Sequence, residues 1–272
     1  MSQDIHSHRI LILDFGSQYS QLIARRVRDI GVYCEIFPAN LAEDKIREFS
    51  PQGIILSGGP LSAHEAFAPR APEIVFQLGC PVLGICYGMQ VMATQLGGQV
   101  EKGEKREFGS ARIQLQAPSK LLQGIEDKED QLHVWMSHGD HVTGLPAGFD
   151  ITASSDNCRI VAIENAKRNF YGLQFHPEVS HTNQGASMLE RFLLEICHCP
   201  TQWTLKNILN ELVEKVQHDV KDEHVILGLS GGVDSSVMAA LLQQAISQQL
   251  TCVFVDTGLS RLNEVKEVQD LF

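Results

Sequence analysis

PVLGICYGMQ, residues 81–90, is the stretch on which the fold turns. Pro81–Ile85 is a short apolar run that reads as a strand, and the residues after Cys86 keep helical spacing as far as Gly97-Gly98. Gly84 and Gly88 flank the cysteine at the G-x-C-x-G spacing of a nucleophile elbow. Small residues there let a strand turn sharply into a helix and project the side chain between them. A helix start facing a thiol favours the reactive thiolate. The amide of the next residue, Tyr87, is placed to donate to an oxyanion. A cysteine after a strand is usually a plain core residue; the two glycines lift this one above that reading.

Outward from the elbow the same alternation repeats. Arg9–Phe15 (RILILDF) reads as a strand ending at Gly16-Ser17, Gln21–Asp29 as a helix and Val32–Phe37 as a second strand. Gly53–Leu56 then runs into Ser57-Gly58-Gly59-Pro60. Strands alternating with helices predict a mostly parallel sheet covered on both faces. From about Gly109 to Gly172 shorter segments with frequent turn residues predict β-rich decoration at one end of that sheet. Ser187–Cys197 is expected to close this first domain, residues 1–199, as a helix.

Pro200-Thr201-Gln202 reads as a linker, with Thr201 as a cap for the next helix. Leu205, Ile208, Leu209, Leu212, Val213 and Val216 mark one apolar face of that helix. After it come a strand (Val225–Leu229), a glycine loop, a helix (Ser236–Gln244), a strand (Thr251–Val255) and a charged helix. Two parallel strands seldom make a stable sheet, so the second domain, residues 200–272, is expected to be incomplete. The fold class expected is α/β throughout.

Composition sets the outer limits. The chain has 272 residues, 43% of them apolar and 20% charged, which is ordinary globular material. A net charge of -11 argues against a nucleic-acid surface. No apolar run approaches the roughly 20 residues that cross a bilayer, and Met1–Ile10 has no signal-peptide core. Seven scattered cysteines suit a reducing, cytoplasmic compartment better than a disulfide framework. Cys197-His198-Cys199 lacks the second pair that a four-ligand zinc site needs and reads as a buried helix end.

A thiolate needs a proton carrier. Phe175-His176-Pro177-Glu178 supplies one: His and Glu two apart at a strand end point the same way, so Glu178 can hold the His176 ring while His176 faces Cys86. A lone H-P-E is more often a surface turn. PVLGICYGMQ together with FHPE, in this order and at this separation, resembles the class I glutamine amidotransferases. The resemblance implies that Cys86, His176 and Glu178 form a triad hydrolysing glutamine. It also implies an oxyanion hole from the amides of Gly59 and Tyr87. Gln90, one helical turn beyond Cys86, resembles a substrate contact, and within Met136–Asp140 (MSHGD) Ser137 and Gly139 are the favoured glutamine contacts. His138, His141 and His181 are read as structural or surface residues.

The second glycine loop, Ser230-Gly231-Gly232-Val233-Asp234-Ser235-Ser236, lies between a strand and a helix, where glycines and opening helix amides can close around phosphate. It lacks the G-K-[ST] of a Walker loop. SGGVDSS resembles the pyrophosphate loop of the N-type ATP pyrophosphatases, which have a doubly wound α/β fold. The resemblance implies ATP as substrate, held along Ser230, Gly231, Gly232, Val233, Asp234, Ser235 and Ser236. Asp234 would be a magnesium ligand, and Val255 would flank the adenine. The order of the two domains, with LDFGSQY (Leu13–Tyr19) and VWMSHGD (Val134–Asp140), is similar to the GMP synthase family. That family uses XMP as acceptor, binds it in a region following this one, and dimerises there. Thr257 and Ser260 depart from the residues more usual in bacterial members. A glutaminase subunit serving another protein, and an idle binding module, remain open as alternatives.

Overall fold

The computed structural model describes residues 4–63, 65, 67–125, 131–256, 258, 261 and 263–271. The chain divides into two compact units, Met1–Trp203 and Thr204–Phe272.

In the first unit β1 (Arg9–Asp14), β2 (Tyr33–Pro38), β3 (Gly53–Leu56) and β4 (Val82–Ile85) alternate with α1 (Ser20–Asp29), α2 (Glu43–Phe49) and, after a 3₁₀ turn at Glu73–Phe76, α3 (Tyr87–Gln95). Then come β5 (Gln99–Leu115), β6 (Gln131–Gly144), β7 (Asp150–Ser155), β8 (Ala162–Asn165), β9 (Phe170–Leu173) and α4 (Gly185–Arg191), the last running into a π-helical turn at Phe192–Ile196. The nine strands form one sheet in the order β2-β1-β3-β4-β9-β8-β7-β5-β6. The five strands from β2 to β9 are parallel, and the pairs beyond β9 are antiparallel.

Period-2 alternation assigns the two faces of the parallel part. Ile10, Ile12, Ile55, Leu83 and Ile85 join one core with Ile23, Ala24 and Val27 of α1 and Met188 and Leu189 of α4. Leu11, Leu13, Ile54, Leu56 and Val82 join the other with Ile46 and Phe49 of α2 and Met89 and Met92 of α3. Strands covered on both faces are apolar throughout, which is why RILILDF and PVLGI read so clearly.

The structure amends the sequence reading in three places. The antiparallel part lies at one end of the sheet, as expected, but it begins at Gln99, not near Gly109, and extends the main sheet through β8 and β7 to the long pair β5 and β6. Turn-rich composition misled here, because Gly109 (φ 107°) lies inside β5 as a bend in a continuous strand. The closing helix changes winding at Phe192, so Cys197 and Cys199 are buried past a π turn. Thr201 packs its backbone and Cβ against Gly31; the cap of the next helix is Thr204, whose hydroxyl accepts from Asn207 N at 3.3 Å.

The second unit comprises α5 (Leu205–Val220), β10 (Val225–Leu229), α6 (Val233–Ile246), a 3₁₀ turn, β11 (Leu250–Phe254) and α7 (Glu264–Leu271). β10 and β11 pair in parallel. Leu242, Ala245 and Ile246 of α6 are buried against Val213, Val216 and Val220 of α5 and against Val225, Leu227 and Leu250. The apolar face read on α5 is therefore divided: its second half is covered, whereas Leu205, Leu209 and Leu212 are exposed.

Candidate active site

Cys86 follows β4 and caps α3 with φ 51° and ψ −105°, a left-handed conformation costly for a residue with a Cβ. Its neighbours leave no alternative. A Cβ on Gly84 would stand 2.7 Å from the backbone of Gly88, and one on Gly88 would stand 2.2 Å from Leu56 O. Strand, helix and the adjacent strand approach so closely that only glycine fits at both positions, and this approach forces the turn at Cys86.

Cys86 opens into a cavity of about 700 Å³. Its wall includes Gly16–Tyr19, Gly59–Ser62, Tyr87, Gln90, Ser137–Asp140 and His176. The Gly16–Tyr19 turn is held by Asp14, whose Oδ1 accepts from Gly16 N (2.9 Å), Ser17 N (3.1 Å) and Ser20 Oγ (2.6 Å). Ser57 Oγ accepts from Phe15 N at 3.0 Å and donates to Gly58 O at 2.8 Å, fastening the second glycine turn to the first. A Cβ on Gly59 would lie 2.9 Å from Phe15 O and 3.2 Å from the Tyr87 ring, so the backbone here packs closer to these two residues than a larger residue permits.

His176 is buried, and its Nδ1 lies 2.7 Å from Oε1 of the fully buried Glu178. The two are not on a strand: β9 ends at Leu173 and the H-P-E segment is a turn. The side chains meet because the turn is pinned. His176 N donates to Trp135 O (3.1 Å), Thr182 Oγ1 donates to His176 O (2.6 Å), and Arg26 Nε donates to Glu178 O (3.0 Å). The Tyr19 ring meets the imidazole edge-on, with centroids 5.2 Å apart.

Burial alone would push the His176 proton off. Hydrogen bonds to Cys86 and Glu178, with the Glu178 charge, reverse this and hold the imidazolium up to about 10. Burial pushes the thiols of Cys34, half-buried Cys80 and Cys158 up to about 11 and that of Cys199 up to about 12.

In the second unit Gly231 has φ 76°, and α6 starts at Val233 with Asp234 in its first turn. Ser235 Oγ accepts from Ser230 N at 3.2 Å and donates to Gly232 O at 3.0 Å, and Ser236 Oγ also donates to Gly232 O at 3.0 Å. These hydroxyls shape the loop Ser230–Ser236 from within. Val255 follows β11 and is exposed.

A family model described as glutamine amidotransferase class-I matches residues 11–196. The chain belongs to the class I glutamine amidotransferase family. A second model, described as NAD synthase, matches residues 204–271. "GMP synthase [glutamine-hydrolyzing]" proteins of Serratia proteamaculans and Ectopseudomonas mendocina are 58% and 60% identical to the whole chain. The chain spans about half the length of these curated relatives, 53% in both cases. Among solved structures, a putative GMP synthase subunit from Thermoplasma acidophilum superposes with a TM-score of 0.61 at 28% identity, over 70% of this chain and 94% of that one. A glutamine amidotransferase from Thermotoga maritima shares the fold at 21% identity and a TM-score of 0.51, over 88% and 97% of the two chains.

For this amidotransferase the structure brings Cys86, Tyr87, Gly59, Gln90, Ser137, Gly139 and His176 to one cavity, with Glu178 behind His176. It also brings residues that the sequence reading passed over. On β6 the buried positions alternate as Leu132, Val134, Met136, His138, Asp140 and Val142. Two polar side chains thus interrupt an apolar series where the strand passes the cavity. That alternation was available in the sequence. His138, read as structural or surface, lines the cavity, and its Nε2 lies 3.3 Å from Glu107 Oε2. Burial lowers the His138 proton affinity, and Glu107 offsets only part of that. His181 stacks on Trp135 with centroids 4.5 Å apart. Thr257 and Ser260 lie outside the described residues.

Proposed function

We propose that the first unit hydrolyses glutamine to glutamate and ammonia, with Cys86 as nucleophile, His176 as proton carrier and Glu178 as the carboxylate that orients it. The observation carrying this reading is a left-handed cysteine at the mouth of a helix, next to an imidazole held at 2.7 Å by a buried carboxylate. Cys86 Sγ attacks the carboxamide carbon, and the amides of Gly59 and Tyr87 receive the developing oxyanion. His176 gives its proton to the departing ammonia, then takes one from the water that opens the glutamyl thioester. Ser137 and Gly139 line the glutamine pocket. Both protons of the Gln90 amide are engaged, on Asp140 O at 2.9 Å and Gln174 Oε1 at 3.3 Å, so Gln90 meets substrate through its oxygen.

The parent reaction is that of glutamine-hydrolysing GMP synthase: ammonia aminates ATP-activated XMP, giving GMP, AMP and pyrophosphate. Identity near 60% across both units supports it. ATP enters as its magnesium complex. Loop amides and hydroxyls from Ser230 to Ser236 suit the phosphates, and a single carboxylate, Asp234, suits magnesium that is otherwise bound by phosphate and water. Val255 would lie beside the adenine. XMP binding and dimer formation belong to the part of the relatives that this chain does not span. A cytoplasmic setting fits a metabolic ligase; among the described residues no helix is long and apolar enough to cross a membrane.

The test is glutamine hydrolysis in folded variants. Cys86→Ala should abolish it. Glu178→Gln should retain more than His176→Ala, because an orienting group matters less than the base it orients. Substantial hydrolysis by Cys86→Ala would refute the nucleophile, and equal loss in the other two would refute the division of labour.

A further inference from the structure

Gln174 takes no part in the triad, yet it reaches the nucleophile. It follows β9, is fully buried, and meets Cys86 from the protein interior, outside the cavity lining. Its Nε2 stands 3.7 Å from Cys86 Sγ, within reach of an N–H to sulfur contact. A side-chain amide can be turned either way, so its neighbours decide its orientation. Asp140 O can only accept, and Gln90 Nε2 lies 2.9 Å from it, which fixes the Gln90 amide. The same nitrogen lies 3.3 Å from Gln174 Oε1. Gln174 therefore turns its oxygen to Gln90 and its NH₂ to the sulfur.

The sulfur has a second polar neighbour of opposite preference. Ser137 O, 3.6 Å away, can only accept, so it is served by the thiol. Gln174 can serve the thiolate, which only accepts. We propose that Gln174 is a further catalytic residue, donating an amide N–H to the Cys86 thiolate and holding the sulfur in line with the His176 ring. The relay that aims it runs from Asp140 O through Gln90 to Gln174, which couples the wall of the glutamine cavity to the nucleophile. The inference rests on reading Cys86 as the nucleophile of glutamine hydrolysis.

Iodoacetamide alkylation tests it without glutamine, with Cys86 followed by peptide mass spectrometry and the exposed Cys252 as internal control. Gln174→Met keeps the volume and removes the donor. Loss of a charge-assisted hydrogen bond should slow Cys86 alkylation near neutral pH about tenfold and move its pH midpoint upward, with Cys252 unchanged. Gln174→Asn, one methylene short of the sulfur, should shift the same way. Wild-type alkylation profiles in folded variants would overturn the proposal. If neither variant folds, the Gln174 side-chain amide resonance of the unsubstituted protein decides. It should titrate together with Cys86 alkylation, and a resonance that stays still across that range overturns the assignment. Failure of glutamine hydrolysis with the alkylation shift intact would instead count against the functional reading alone.

Discussion

Each unit turns from a strand into a helix over a glycine-bearing loop, and the two loops are built under different constraints. At Gly84–Gly88 the glycines are demanded by neighbouring backbone: added Cβ atoms would stand 2.7 and 2.2 Å from main-chain atoms. In the second unit nothing lies within 4 Å of a Cβ on Gly228, in β10 just before the loop, and only Ser230 Oγ, at 3.4 Å, approaches one on Gly232 within it. The first loop is shaped by the packing around it, the second by its own serine hydroxyls. The difference extends to the cores. β1, β3, β4 and β9 have both faces covered, whereas α5 and α6 of the second unit leave Leu205, Val233 and Val237 exposed among the described residues. A turn imposed by packing can hold a residue in a strained conformation, as Cys86 is held. A turn held by its own hydroxyls keeps its backbone amides near solvent and adaptable.

The contrast breaks most visibly at the glycines. Gly88→Val should cost the first unit about 3 kcal/mol or more, enough to lose its cooperative melt, whereas Gly228→Ala should leave the second unit within about 1 kcal/mol of its starting stability. Chemical denaturation followed by near-ultraviolet circular dichroism reads the first unit, whose residues include every Trp and Tyr of the chain, and hydrogen exchange of the α5 and α6 amides reads the second; equal losses would mean that the two strand-to-helix junctions are packed alike.

Core truncation should separate the units next. Leu189→Ala, in the core that also holds Ile12 and Phe192, should cost about 2–5 kcal/mol. Val237→Ala, on an exposed stretch of α6, should fall within about 0.5 kcal/mol. A large effect at Val237 would show that this face is covered in solution.

A pH scan sharpens the account of the elbow. The folded-state value of His176 is raised, from its ordinary 6.5 to about 10, so its contribution to stability is complete below the ordinary value. That contribution is lost as pH rises through about 10, where the folded protein gives up the proton. The melting temperature of the first unit should therefore fall over that window, and His176→Gln should flatten the fall. A wild-type curve with the same slope as the variant would mean that the ion pair does not form.

The smallest expected effect is at Thr204, whose hydroxyl caps α5. Thr204→Ala should reduce the stability of the second unit by about 1 kcal/mol and leave the melt of the first unchanged. Hydrogen exchange of the α5 amides is the sensitive reading, and unchanged exchange would remove the cap from the account.

What the sequence determined by itself was whatever repeats locally. Apolar runs between glycine turns located the parallel strands within a residue or two, because a strand buried on both faces has to be apolar along its length. The Gly-x-Cys-x-Gly and His-Pro-Glu segments were legible because their chemistry sits on adjacent residues. Tertiary structure decided everything that depends on which distant segments meet. That β5 and β6 join the main sheet follows from pairing between residues far apart in sequence, and the glycine at 109 gave a turn signal inside a strand. The place of Gln174 under the Cys86 sulfur rests on contacts 84 and 88 residues away along the chain. The His176–Glu178 approach needed a turn pinned by Trp135, Thr182 and Arg26, where strand alternation had been expected. Local pattern encodes which face a residue presents, but the partner it meets on that face depends on how the whole sheet closes.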